Sequence, residues 1–493
     1  MQSATRAAPG MGPWLATALV FGSSGAVLVV ELASLRLLAP YLGLTLETNT
    51  LVIGLALAAI AAGSWLGGWA ADRVPPRALL GPLLAISGGA VAMLPAVVRG
   101  SAESGDGSVF LVSALAIVVP AALLSAVTPV VTTLRLTTLD ETGTVVGRLS
   151  GIGTVGAIAG TVLTGFVLIS LVSVSTILVG LGLVLVVASV LVDLRVRSWR
   201  GRVTAGVVVA VGGLTAQLAP GGCDVETTYH CAVVQIDPDR PTGRVLVLDG
   251  LRHSYVDLVD ATYLDFEYVR AIASVVDTGW PATEPLAAYH LGGGGLTVPR
   301  YLDEVRPGTR SLVSEIDPGV VELDVERLGA ELGEGIEVRV EDGRLGVGRL
   351  ADDSRDLVVG DAFGGVSVPF HLASREALLE VDRVLAPGGL YVANLIDHPP
   401  LGFARAELAT MRSVFDHVTL LADPPTLAGE DGGNLVAVGG DRPLDLPAAT
   451  RAMRSRDLDW RGIGWQELAR FVAGAAVLTD DDAPVDQLLT PYG

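Results

Sequence analysis

Four consecutive glycines, Gly292–Gly295, follow the apolar run Leu286–Leu291 and precede a helical segment near 296–305; the chain then returns as 311–316, with Glu315 near its end. Read as strand, glycine turn, helix and strand, this stretch presents bare main chain and free N–H groups, and Glu315 can accept from the two hydroxyls of a ribose. That is the chemistry of a nucleoside site. Glycine runs also serve tight turns and close helix–strand packing, so the acid roughly twenty residues downstream carries the reading. Two more acids stand at strand ends, Asp342 within Val340–Gly343 and Asp361 within Val358–Gly365. Three carboxylates on one rim of one sheet form a site; structural capping of the strand ends is the competing reading.

The elements that must position these groups show as alternation. Strands are predicted near 286–291, 311–316, 335–340, 356–360 and 389–396, with helices near 296–305, 318–330, 343–350 and 373–386. Such alternation makes a doubly wound parallel sheet of Rossmann-like type, which takes ligands outside the carboxyl ends of its strands. Ahead of it, 228–260 reads as a small antiparallel β-sheet broken at Asp237–Pro241. Residues 263–277 have helical period, which puts Tyr263, Phe266, Tyr268 and Ile272 in the core.

Half of the 493 residues are hydrophobic, 17% are charged and mean hydropathy is +0.54, too apolar for a soluble enzyme of this length. The excess lies before about residue 220, where seven spans are predicted at 13–38, 50–70, 78–98, 108–134, 150–171, 173–192 and 203–219. The expected organisation is a multi-pass transmembrane helical domain at 1–220, a small β-subdomain at 221–262 and an α/β domain at 263–493. Residues 1–220 hold 11 Arg against 8 acids and the remainder 22 against 45, so the net charge of −20 belongs to the aqueous part and argues against nucleic acid as partner. The chain has no Lys, which excludes lysine-based chemistry.

Arginines gather after the second span (Arg73, Arg77), around the loop after the fourth (Arg135, Arg148) and after the sixth (Arg195, Arg197, Arg200, Arg202). The positive-inside rule then puts the N-terminus in the cytoplasm and, with an odd number of spans, the soluble domain outside the cell membrane. If the short span 203–219 does not cross, that domain is cytoplasmic instead. Cys223 and Cys231 either pair or stay as separate thiols, and a disulfide would require an oxidising compartment. Glu31 and Arg36 in the first span read as a packing ion pair or an anchor, ahead of a substrate path.

Tyr289–Leu302, Ser314–Val320, Glu341–Gly343 and Asp356–Gly365 are similar to the successive motifs of spermidine synthases. The whole chain resembles bacterial membrane-fused spermidine synthase-like proteins, by motif over 224–440 and by architecture before it. The resemblance implies an N-terminal β-domain followed by a methyltransferase-like sheet. It also implies aminopropyl transfer from decarboxylated S-adenosylmethionine to an amine, without a metal or a tightly bound cofactor. Gly292, Gly293 and Gly294 would lie under the nucleoside, Glu315 would hold the ribose hydroxyls and Asp342 would receive the adenine amino group. Asp361 would be the catalytic carboxylate, orienting and deprotonating the attacking amine. An amine attacks a sulfonium-activated carbon only when neutral, so a nearby carboxylate serves as base and acceptor.

The chain departs from that pattern on one side. Gly295 stands where an acid usually contacts the donor's amine, and Gly364 where a second acid follows the catalytic one. Val269 follows Tyr268 where Gln or His is usual, and Arg270 stands where an acid is common. Each lost charge-assisted contact to a dication costs about 1.5–3 kcal/mol, which makes putrescine a doubtful acceptor. His371 is either a replacement base or structural. The expected function is a membrane-anchored transferase that takes decarboxylated S-adenosylmethionine or S-adenosylmethionine as co-substrate and acts on an amine-like acceptor, with the lipid bilayer as partner and homo-oligomer formation left open. The alternatives are a non-catalytic nucleoside-binding sensor or scaffold, and a transporter with a regulatory soluble domain. The last is kept because Gly63–Arg73 resembles a loop signature of major-facilitator transporters.

Overall fold

The computed structural model describes residues 11–42, 46–103, 109–136, 142–196, 198–216, 223–365 and 367–490. The chain divides into two units, Met1–Thr228 and Tyr229–Gly493.

The first unit is helical: α1 (Pro13–Leu42), α2 (Leu46–Ala71), α3 (Pro76–Glu103), α4 (Val109–Ser125), α5 (Val127–Arg135), α6 (Thr142–Leu163), α7 (Val174–Val196) and α8 (Arg200–Ala216). Long Ala, Val, Leu and Gly runs favour helices here because a helix satisfies its own main-chain polar groups in an apolar medium. Six stretches among the described residues are long and apolar enough to cross a membrane. The predicted fourth span is divided after Ser125 into α4 and α5. The predicted seventh is α8, whose 17 residues fall short of the other six; positions 217–219 of that span, and Arg197, lie outside the described residues.

Helix α7 runs antiparallel to α3. Arg99 donates to Ser175 Oγ at 2.7 Å near one end, and Ser189 Oγ donates to the Gly81 carbonyl at 2.7 Å near the other. Small residues let the two backbones approach, since a Cβ on Gly182 would lie 2.5 Å from the Gly88 oxygen. Asp193 accepts from the Arg202 amide at 2.9 Å and so ties the end of α7 to the first turn of α8. Glu31 and Arg36, five residues apart on α1, lie about 140° apart around its axis.

In the second unit β1 (Cys231–Ile236), β2 (Gly243–Leu248) and β3 (Leu251–Asp257) pair antiparallel. After α9 (Glu267–Gly279) come β4 (Ala287–Leu291), α10 (Thr297–Val305), β5 (Arg310–Glu315), α11 (Pro318–Glu326), β6 (Ile336–Val340), α12 (Gly343–Val347) and β7 (Arg355–Gly360). The unit continues as α13 (Arg375–Val384), β8 (Leu385–Asp397), α14 (Gly402–Arg412), β9 (His417–Ala422), β10 (Gly433–Gly440), α15 (Leu446–Arg454) and β11 (Arg461–Ile463). The eight strands β4 to β11 form one sheet in the order β11-β9-β10-β8-β7-β4-β5-β6.

The five predicted strands are parallel as expected, and three further strands make the sheet mixed. Strands β6, β5, β4, β7 and β8 are parallel, whereas β10 pairs antiparallel with both β8 and β9. Only a short link joins β9 to β10, and antiparallel neighbours need no long crossover. Alternate residues feed two cores: Tyr289, Leu291 and Val358 pack with Phe403 and Leu378, while Ala288, Leu357 and Val359 pack with Ile272 and Tyr301. Burial on both faces explains why the central strands are near-continuous apolar runs.

Candidate active site

Strand β4 lies between β5 and β7, so the order of the strands reverses there. Leu291 sits in register with Ser314 on one side and Gly360 on the other. Gly292, Glu315 and Asp361 therefore leave the sheet side by side. The Gly292 amide donates to the Ser314 carbonyl at 3.0 Å, and the Asp361 amide to the Leu291 carbonyl at 2.9 Å. Gly292 has φ +94°, and a Cβ there would run into the Asp361 carbonyl, so only glycine fits the crossing.

Glu315 is 9% exposed and holds the glycine turn. Its Oε2 accepts from the Gly293 amide at 2.8 Å and its Oε1 from the Asp317 amide at 2.8 Å. Burial raises its pKa, opposed by these two amides. Each carboxylate oxygen keeps capacity for a further donor such as a hydroxyl. Asp342 caps α12 by accepting from the Leu345 amide at 3.0 Å, and its other oxygen faces His371 Nε2 at 3.0 Å. His371 thus stands with Asp342 in the same cleft. It rides on the short helix Phe370–Ala373, which Arg344 ties to α12 by donating to the His371 carbonyl at 2.8 Å. Gly292, Gly293, Gly294, Glu315, Asp342 and Asp361 all line one cleft.

A second cleft adjoins it, sharing Gly292–Gly294, His253, Phe363 and Asp361. Here Tyr268 OH donates to Asp361 Oδ2 at 3.0 Å and Asn394 Nδ2 donates to Oδ1 at 2.8 Å, while Asn394 Oδ1 accepts from Asn434 Nδ2 at 2.9 Å. Burial pushes Asp361 up to about 6 against the pull of both hydrogen bonds. Tyr268 is buried, as expected for a core aromatic, yet its hydroxyl holds Asp361. Asn394 and Asn434 were not singled out from the sequence; the available signal was a lone amide inside the apolar run Leu390–Leu395. His253 was also passed over. Burial and the neighbouring His230 push its pKa down to about 4, so it is neutral near pH 7 and has an acceptor nitrogen.

Two of the departures have a structural reason. Gly295 has φ +76°, its amide donates to Asp324 Oδ1 at 2.9 Å, and a Cβ would collide with Ser254 Oγ, so no acid can stand there. Arg270 donates to the Arg456 carbonyl at 2.9 Å and does not line either cleft. Among the described residues a Cβ at Gly364 would meet only the Ser367 oxygen at 3.9 Å, and nothing there explains the missing acid.

A methyltransferase-like sheet with an acid-rimmed cleft at its point of reversal defines the class of protein. No family model matches the chain. It is 31% identical to a probable spermidine synthase from Corynebacterium glutamicum ATCC 13032, covering 53% of this chain and 96% of that one, with a TM-score of 0.50. It is 33% identical over 159 residues to the polyamine aminopropyltransferase of Vibrio vulnificus (strain CMCP6), 30% of this chain and 49% of that protein. Over 280 residues it is 26% identical to a probable polyamine aminopropyl transferase of Bifidobacterium longum (strain NCC 2705), 53% of this chain and 61% of that one. The chain spans 49% and 61% of the lengths of these two curated relatives. It belongs to the spermidine synthase-like family.

Proposed function

We propose that the second unit is a transferase. It binds an adenosyl-sulfonium donor of the decarboxylated S-adenosylmethionine or S-adenosylmethionine type and passes an aminopropyl-like group to an amine. Gly292, Gly293 and Gly294 lie under the nucleoside, Glu315 takes the ribose hydroxyls and Asp342 the adenine amino group. The acceptor nitrogen forms its bond to the carbon next to sulfur as the C–S bond breaks. Sulfur keeps the electron pair and leaves as the neutral thioether, and Asp361 takes the proton. The observation that carries this reading is the convergence of the bare turn and three carboxylates on one cleft, with Asp361 oriented by Tyr268 and Asn394. A carboxylate titrating near 6 is a stronger base than a solvated one and is still ionised at neutral pH.

The test is release of methylthioadenosine by the purified full-length protein from decarboxylated S-adenosylmethionine with a panel of amines. The pH profile has a defined sign. The pKa of Asp361 is raised, so the active carboxylate is lost as pH falls through about 6, and kcat/KM should drop tenfold per pH unit below that value. A profile flat down to pH 5 would remove Asp361 as the base.

The second unit is further proposed to lie outside the cell membrane, on seven crossings. Helix α8 begins beside α3 at Gly201 and Gly81 and follows it in parallel, with Val208 packed 2.5 Å from where a Cβ on Gly89 would stand. Glu226 then accepts from Arg99 at 3.1 Å and from the Ser175 amide at 3.0 Å. From Gly81 to Arg99 helix α3 rises about 27 Å, close to the roughly 30 Å of a bilayer core. These contacts support a crossing between 201 and 226 that leaves the bundle opposite Arg77, Arg200 and Arg202. Neither cysteine is a free thiol, and a disulfide accords with an oxidising side. Reporter fusions after Trp199 and after Glu226 should read cytoplasmic and extracytoplasmic respectively; a cytoplasmic reading at both would reduce the crossings to six.

That sidedness favours a second reading, a nucleoside-binding module without turnover, because a donor made in the cytosol is not at hand outside. Methylthioadenosine binding with no release from any donor and amine would select it.

A further inference from the structure

We infer that the acceptor is a monoamine with an uncharged body, and that Arg252 is the residue that turns a second cation away. This rests on the transferase reading. The second cleft is walled around Asp361 by Phe266, Val269 and Phe363, and among the described residues that line it Asp361 is the only acid. One carboxylate matches one ammonium. A diamine brings a second positive charge, whose desolvation must be offset by another acid or by several free acceptors. The other acceptors lining the cleft are neutral, the Asn434 amide and the uncharged His253 ring among them, while Asn394 is held between Asp361 and Asn434.

Arg252 lines the same cleft. Its guanidinium lies 5.1 Å from the centre of the Phe266 ring and donates to Asp265 at 3.0 Å. The arginine therefore neutralises an acid next to the cleft and so denies a second ammonium its nearest counter-charge. That pairing leaves an alkyl chain untouched, and the phenyl rings and Val269 favour it through apolar burial.

The test is calorimetry on the full-length protein saturated with methylthioadenosine, titrated with n-butylamine and with 1,4-diaminobutane, which differ by one ammonium on the same carbon chain. Butylamine should bind at least tenfold more tightly. Equal or tighter binding of the diamine, or binding of neither amine, overturns the inference, whereas failure of methylthioadenosine itself to bind counts against the proposed function. Arg252→Met, which frees Asp265, should lower the preference for butylamine about tenfold; a ratio it leaves unmoved overturns the role given to Arg252.

Discussion

Asp361→Asn should lower turnover about a thousandfold while leaving methylthioadenosine affinity within about threefold, because the loss falls on proton transfer and not on nucleoside contacts. Asparagine keeps the side chain's size and an oxygen for the Tyr268 hydroxyl, so the cleft keeps its shape. It has no carboxylate to take the proton from the amine as the new C–N bond forms. It also presents an amide N–H where Asn394 Nδ2 now donates, so the Asn394 amide must turn, and Asn434 with it. Single-turnover release of methylthioadenosine, set beside calorimetric binding of the same compound, separates the two effects. The acid limb near pH 6 should vanish together with the rate. Turnover unchanged by this substitution would leave Asp361 a structural strand-end cap.

Glu315→Ala should weaken methylthioadenosine binding about a hundredfold. The carboxylate does two things at once: it fixes the turn by accepting from the Gly293 and Asp317 amides, and it faces the cleft in which a ribose would lie. Removing it leaves two buried N–H groups unpaired and takes away the proposed acceptor for the hydroxyls. Charge-assisted hydrogen bonds contribute about 1.5–3 kcal/mol each, and about 1.4 kcal/mol is a tenfold change in affinity. Glu315→Gln keeps one acceptor oxygen and should lose only about tenfold. Equal thermal melts of the two variants would assign the difference to the ligand and not to the fold of the turn. Affinity within threefold of wild type in the alanine variant would show that no ribose is held there.

The family membership rests on the second unit, since the solved relative of 31% identity covers 53% of this chain.

The sequence by itself determined the split between apolar and aqueous halves, the strands from β4 to β8 and the glycine turn, because each is a local pattern. Apolar run length, alternation and strand-end acids need no knowledge of what lies across the chain. It also announced the missing acids, as plain residue types at motif positions. Only the tertiary structure decided what meets what. Tyr268 reaches Asp361 from a helix that precedes the sheet, and Asn394 reaches it from a strand that follows. His371 went to Asp342 although Asp361 is nearer in sequence, because the loop after β7 carries it to the first turn of α12. The antiparallel half of the sheet was likewise invisible, since strands buried on both faces look alike whichever way they run. Partners that sit far apart in the chain leave no periodic trace, so proton-holding networks come from folding together and not from spacing.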